Sequence, residues 1–213
     1  MTNFQDFLAL VPKLIQVPLP AEAAHHKMAP SERIQFLENL DIDALNPKIA
    51  AVMMLLYPKN GITHLALIVR NSYPGVHSAQ IAFPGGKYEQ TDANYQLTAL
   101  RETHEEIGIH PNKIEIIRGF TSLYIPPSNF KVYPFLGICK EEIVFVPDNN
   151  EVVNVIELPL NDFLNDDLVV TTMMSTSYAK KIEIPAFKIN EHIVWGATAM
   201  MLSELKEVLK KVL

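Results

Sequence analysis

The segment from Ala93 to Ile107 constrains this chain more than any other. Read as a helix turning about 100° per residue, it puts Ala93, Leu97, Leu100 and Ile107 on one stripe. Glu102, Glu105 and Glu106 fall close to the opposite side. Asp92 is the expected N-cap, and Gly108 the residue expected just past the end. Carboxylates spaced i, i+3 and i+4 repel one another, and each pair weakens a bare helix slightly. Two readings account for such a cluster. It is either a solvated acidic face, the commoner use of Glu-x-x-Glu-Glu taken alone, or the seat of a hard divalent cation that prefers oxygen ligands and shares its shell with substrate phosphates.

The residues around the helix favour the second reading. Gly85-Gly86 precede it directly after a short strand, and glycines let backbone approach a ligand or metal closely. Arg101 lies one turn before Glu105, where it can orient a carboxylate or form a plain surface pair. Arg70 and Lys87 are candidates for substrate phosphates, and equally for solvent-facing charges. Glu151 opens a strand-like run and is a candidate extra carboxylate, against the commoner reading of an exposed strand-end acid. His104 falls on the apolar stripe and reads as a packed structural histidine, while His77 is near the site only in sequence. Tyr124 and Trp195 can stack a base or pack in a core, and Met53, Met54, Met200 and Met201 read as core fillers.

The rest of the pattern is that of an α/β protein with a mixed sheet. A continuous apolar run from Ile49 to Tyr57 predicts a strand, Pro58 to Gly61 a turn, and Thr63 to Val69 a hairpin partner. Further strands are expected near 80–83, 114–121, 132–139 and 152–158, irregular β structure to about 188, and a last amphipathic helix over 197–212. Before these, Phe4, Phe7, Leu8 and Val11 predict a short helix over 3–11, Pro18-Leu19-Pro20 ends it, and another helix starts at Ser31. Residues 1–45 thus read as a helical N-terminal extension and 46–213 as the main domain.

Bulk properties exclude several classes. The 213 residues are 48% hydrophobic with a net charge of −6, which argues against disorder and against gripping nucleic acid by bulk charge. There is no run of eighteen apolar residues for a membrane span, and Met-Thr-Asn-Phe-Gln-Asp lacks the basic flank and apolar run of a secretory signal. Cys139 is the only cysteine and reads as a buried structural thiol, so neither a disulfide nor a cysteine metal cluster is expected. The expected compartment is the cytoplasm.

The segment from Gly86 resembles the Nudix box, G-x5-E-x7-R-E-U-x-E-E-x-G-U with U aliphatic. Arg101-Glu102, Glu105-Glu106, Gly108 and Ile109 match as they stand. Asp92 fills the first acidic position, one extra residue follows before Arg101, and Thr103 takes the first aliphatic position. These departures, with Phe83-Pro84-Gly85-Gly86 upstream, resemble the coenzyme A diphosphatase branch of Nudix hydrolases. Arg70 matches the early arginine of that branch's upstream motif, whereas Gly75 and Ala79 stand where a second arginine and a glycine are expected. Tyr124 to Phe130 and Trp195-Gly196-Ala197-Thr198-Ala199 also resemble that branch, extending the likeness over roughly 46–210.

The resemblance implies an α/β/α sandwich and a diphosphatase that needs Mg2+ or Mn2+. Glu102 and Glu106 are the expected metal ligands, with Glu105 a third ligand or the general base and the Gly85 carbonyl completing the shell. Arg101 would hold a box carboxylate, and Asp92 would stabilise the loop and the helix start. Arg70, Lys87 and Gly86 would meet the substrate. That substrate is expected to be a small nucleotide, coenzyme A or an acyl-CoA, giving 4′-phosphopantetheine-type products and adenosine 3′,5′-bisphosphate. The alternatives are another nucleoside diphosphate derivative, such as ADP-ribose or a dinucleotide, or a binding module without turnover. The N-terminal helices would cap the core or serve a homodimer contact.

Overall fold

The computed structural model describes residues 3–38, 40–71, 80–174 and 182–213. Its helices are α1 (Phe4–Gln16), α2 (Glu22–His26), α3 (Ser31–Leu37), α4 (Tyr95–Ile107), α5 (Leu160–Leu164) and α6 (Gly196–Lys210). The strands are β1 (Lys48–Lys59), β2 (Ile62–Arg70), β3 (Ile81–Ala82), β4 (Gly85–Lys87), β5 (Ile114–Gly119), β6 (Leu123–Ile125), β7 (Phe130–Cys139), β8 (Val152–Pro159), β9 (Val169–Met174), β10 (Ile182–Ile189) and β11 (His192–Val194).

The larger sheet runs β3-β2-β1-β7-β5, with β4 also on β1, β6 on β7 and β8 on β2. Parallel pairing of β1 with β7 among otherwise antiparallel partners makes it mixed. A smaller antiparallel sheet holds β11-β10-β9. The unbroken apolar run of β1 reflects burial on both faces. Ala51, Met53, Leu55 and Tyr57 pack with Ala99, Leu100 and Ile107 of α4. Met54 and Leu56 face the other way, into the cluster that holds Leu202, Leu205 and Leu209 of α6. Helices therefore cover both sides, and the fold is an α/β/α sandwich.

The β1–β2 turn is tighter than expected. Pro58 and Lys59 stay in the ladder opposite Thr63 and Ile62, leaving Asn60 and Gly61 as the loop. Both have positive φ, 51° and 73°, as a two-residue hairpin turn requires.

Helix α4 departs from the expected pattern in three respects. Its N-cap is Asn94, whose side chain accepts the Leu97 amide, rather than Asp92. Ala93 precedes the helix and is exposed, Leu97 is 43% exposed, and the buried face is made by Thr98, Ala99, Leu100, Thr103, Glu106 and Ile107. Threonine is compatible with that face because the Thr103 hydroxyl donates to the Ala99 carbonyl at 2.6 Å, so no polar group is stranded. His104 is exposed, with its ring edge on His110, and not packed as expected. At the far end Gly108 takes φ 74° and closes the helix onto the His104 carbonyl, as expected of a residue just past the C-terminus.

The residues before β1 share the main core. Phe4, Phe7 and Leu14 of α1 are buried in the cluster formed by the sheet and α6. The Ser203 hydroxyl donates to the Ala24 carbonyl, tying α2 to α6. The first helix is longer than its apolar spacing indicated, reaching Gln16, and α2 gave no periodic signal. Cys139 is buried, and burial raises its thiol to about 11, consistent with an inert structural role. No helix among the described residues is long and apolar enough to cross a membrane.

Candidate active site

Strand β4 places Gly85 and Gly86 beside β1, with Gly85 opposite Val52 and Gly86 opposite Ala51. Gly85 has φ 152° and no room for a side chain, since a Cβ there would lie 2.3 Å from the Ala51 carbonyl oxygen. From this position its amide donates to Glu106 Oε2 at 2.8 Å. A Cβ on Gly86 would fall 2.4 Å from the carboxyl carbon of Glu102. The two glycines thus let the glutamate helix press its acids against bare backbone.

Two arginines hold these acids. Arg70 Nη1 lies 3.0 Å from Glu106 Oε1. Arg101 grips Asp92 through Nε and Nη2 at 3.0 and 3.1 Å, and its Nη1 donates to Glu102 and Glu105 at 2.9 and 2.8 Å. Its Nη2 also donates to the Lys87 carbonyl. Arg101 therefore joins the loop after β4 to α4. The Asp92 carboxylate also accepts the Glu89 amide, so it braces the loop instead of capping the helix. Hydrogen bonds from Arg101 hold Asp92 below the usual carboxylate range, and this same bond to Asp92 raises the arginine.

The glutamates have unequal surroundings. Glu106 is 2% exposed, and burial pushes its carboxyl up to about 7 against the pull of Arg70 and the Gly85 amide. The charges of Glu102 and Glu151 add to the push. Burial also raises Glu102, with Arg101 opposing and Glu105 and Glu151 contributing. Glu105 and Glu151 are exposed, and Glu151 acts on the cluster through its charge.

Among the described residues, no group of three His, Cys, Asp or Glu side chains is gathered as a preformed metal cage. The arginines spread the glutamates between them. The donors nonetheless suit a hard divalent cation. They are carboxylate oxygens, one of them buried among like charges, and they press against a glycine backbone with no side chain between.

A cavity of about 610 Å³ opens on the other side of the glycine loop. Arg70, Gly85, Gly86 and Lys87 line it, so four of the expected site residues share one wall. The glutamates do not line it themselves and reach it through Arg70 and the glycines. Trp195, Met200 and Met201 also face this space, the methionines as part of the core. Tyr124 is buried, its hydroxyl donating to Asn129, and does not line the cavity. His77, Gly75 and Ala79 lie outside the described residues. Pro30 and Arg33 line the cavity too, and neither was expected there. Their local sequence announces only a helix start at Ser31, and nothing in it points across the fold to the glycine loop.

The NUDIX domain model matches residues 47–173. The chain is 32% identical to an uncharacterized Nudix hydrolase NudL of Enterobacter sp. (strain 638), over 81% of this chain and 89% of that protein. It is 35% identical to the mitochondrial Nudix hydrolase 15 of Arabidopsis thaliana, over 60% of this chain but only 45% of the plant protein. Among solved structures, the Nudix hydrolase RenU of M. smegmatis shares the fold with a TM-score of 0.54 at 14% identity, covering 78% of this chain and 88% of that one. With a glycine-backed glutamate helix at the centre of the matched region, the chain belongs to the Nudix hydrolase family.

Proposed function

We propose that this protein hydrolyses a diphosphate linkage in a nucleoside diphosphate derivative, with coenzyme A or an acyl-CoA as substrate. One observation carries the reading. Glu106 is buried against the Gly85 amide and Arg70, and both of those residues line a cavity large enough for a nucleotide.

Glu102 and Glu106 would hold a divalent ion, Mg2+ or Mn2+, with Glu105 and the Gly85 carbonyl as further donors. Such an ion would supply charge neutralisation for the diphosphate and a more acidic water. Arg101 keeps Glu102 and Glu105 aligned on one side of the helix. In the cavity, Arg70 and Lys87 would meet phosphate oxygens and Gly86 would allow their close approach. The attacking water forms a bond to one phosphorus, the bridging P–O bond breaks toward the other phosphate, and Glu105 accepts the water's proton. Glu151 would contribute an additional carboxylate from across the site. Positioning and charge balance are the main demands of phosphoryl transfer, and these residues supply both.

Coenzyme A is favoured over other diphosphates by the likeness in Phe83-Pro84-Gly85-Gly86, in Asp92 with its extra following residue, and in Trp195 to Ala199. The apolar share of the cavity wall, with Phe130, Trp195 and Met201, also suits a substrate with a long uncharged arm. A panel of coenzyme A, acyl-CoA, ADP-ribose, NADH, diadenosine polyphosphates and nucleoside triphosphates, with Mg2+ or Mn2+ and product masses, tests the assignment. Coenzyme A should give adenosine 3′,5′-bisphosphate. Fast turnover of ADP-ribose with none of coenzyme A removes the substrate and leaves the reaction. No turnover of any compound, with ligand still bound, would make the protein a binding module.

A further inference from the structure

We propose that the segment before β1 forms the wall of the cavity that reads the substrate's far arm, with Arg33 as a specificity residue and Glu204 as the positioning residue that holds the segment in place. This rests on the diphosphatase reading above and adds to it a role for residues that precede the matched NUDIX domain, which begins at residue 47.

The spacing of the sheet separates Arg33 from the glutamates. Arg33 is 6% exposed, lines the cavity, and donates through Nη2 to the Tyr124 carbonyl on β6. The path from β4 to β6 runs through β1 and β7. Three inter-strand steps span about 14 Å, so Tyr124 stands that far across the sheet from the Gly85–Gly86 backbone. A diphosphate seated at the glycines is much shorter than this. Whatever reaches Arg33 is therefore another part of the same ligand.

The wall's chemistry narrows what that part is. Arg33, Arg70 and Lys87 line the cavity, Arg70 with its Nη1 on Glu106 and Arg33 with its Nη2 on the Tyr124 carbonyl, and no carboxylate is among its described lining residues. Between the two ends the lining is largely apolar. The class of ligand that fits is a diphosphate ester with an extended arm carrying hydrogen-bond acceptors or negative charge toward its far end.

The segment is fixed by a buried polar cluster. Glu204 of α6 is fully buried and accepts the Ala21 amide at 3.0 Å, the Thr121 amide at 3.1 Å and the Thr121 hydroxyl at 2.6 Å. His25 Nε2 lies 3.3 Å away. These contacts fasten the chain at the start of α2 and within it, shortly before Pro30 and Arg33 enter the cavity wall.

The test uses the full-length protein. With EDTA present, hydrogen–deuterium exchange in residues 28–37 should slow severalfold when coenzyme A is added and much less with ADP-ribose, whose arm is shorter. In steady-state assays with Mg2+, Arg33→Met should raise KM for coenzyme A by about tenfold more than KM for ADP-ribose, the loss of a charge-assisted contact, and Arg33→Lys should recover part of it. Glu204→Gln should shift the same ratio in the same direction. A side chain that only pinned α3 to β6 would penalise both substrates alike, and that result overturns the inference. So does hydrolysis of coenzyme A without slower exchange in 28–37. If ADP-ribose is cleaved while coenzyme A is neither cleaved nor protective, the wall does not read a long arm and the diphosphatase reading survives. If neither is cleaved, both fall.

Discussion

Two glutamates, each buried on a helix, lie on opposite faces of the same sheet and differ in how their charge is met. Glu204 on α6 is held below the ordinary carboxylate range. Burial is the largest influence and raises it, but His25 and the Thr121 donors together outweigh that push. Glu106 on α4 has Arg70 and one amide, yet burial still wins and its carboxyl sits near 7. The first is a carboxylate with three hydrogen-bond donors on it, and it fastens the N-terminal segment. The second is a site left short of positive charge, which a bound cation would supply. Burial of an acid does not distinguish structure from chemistry; the completeness of its partners does.

The largest test of that contrast is catalytic. Glu106→Gln should lower kcat by about a thousandfold, roughly 4 kcal/mol, with Mg2+ or Mn2+ present. Retention of full metal-dependent turnover would place Glu106 on the same footing as Glu204.

The second test is pH-dependent stability without metal. The folded carboxyl of Glu106 is raised from 4.5 to about 7, so the folded state favours its protonated form. The stability this confers is complete below pH 4.5 and is lost as pH rises through 7. Chelated wild-type protein should lose about 3 kcal/mol relative to Glu106→Gln across that window, at ~1.4 kcal/mol per pK unit. Denaturant melts at pH 4.5 and 8 measure it, and added Mg2+ should restore the wild type alone. Parallel pH profiles for the two proteins would show that Glu106 carries no excess charge.

Glu204→Gln should act on stability instead. An amide nitrogen would face the Ala21 or Thr121 amide, stranding one buried donor at a cost of about 2 kcal/mol. Urea melts would show it, and kcat on a short-armed substrate should follow the wild type closely. The smallest effect expected is from Gly86→Ala. Its methyl group would displace the flexible end of Glu102 and leave the backbone intact, lowering kcat about tenfold, ~1.4 kcal/mol, with little change in Tm.

Legibility in the sequence followed the range of the interactions. β1, β2 and β7 were readable because strands buried on both faces are apolar throughout. The acids of α4 and the glycines before it were readable because their spacing is local. The face of α4 departs from its apolar spacing because Thr98, Ala99 and Thr103 join Leu100 and Ile107 on the buried side, while Leu97 turns to solvent. Asp92 stands where a cap would, but Arg101, nine residues on, occupies its carboxylate and Asn94 caps the helix. The N-terminal wall was not legible at all. Its contacts span 183 residues at Ala21–Glu204 and 91 at Arg33–Tyr124, and no local pattern encodes a partner so distant.

Strand β1 changes neighbour partway along one edge, pairing with β2 at Leu56–Lys59 and with β4 at Ala50–Val52. The Met53 amide, between the two, donates to the Pro84 carbonyl. The glycine loop is therefore stitched into the central strand and does not hang from it as a flap. Opening that loop means tearing it from β1, and the buried Met53 amide should be among the slowest in the molecule to surrender its proton to solvent.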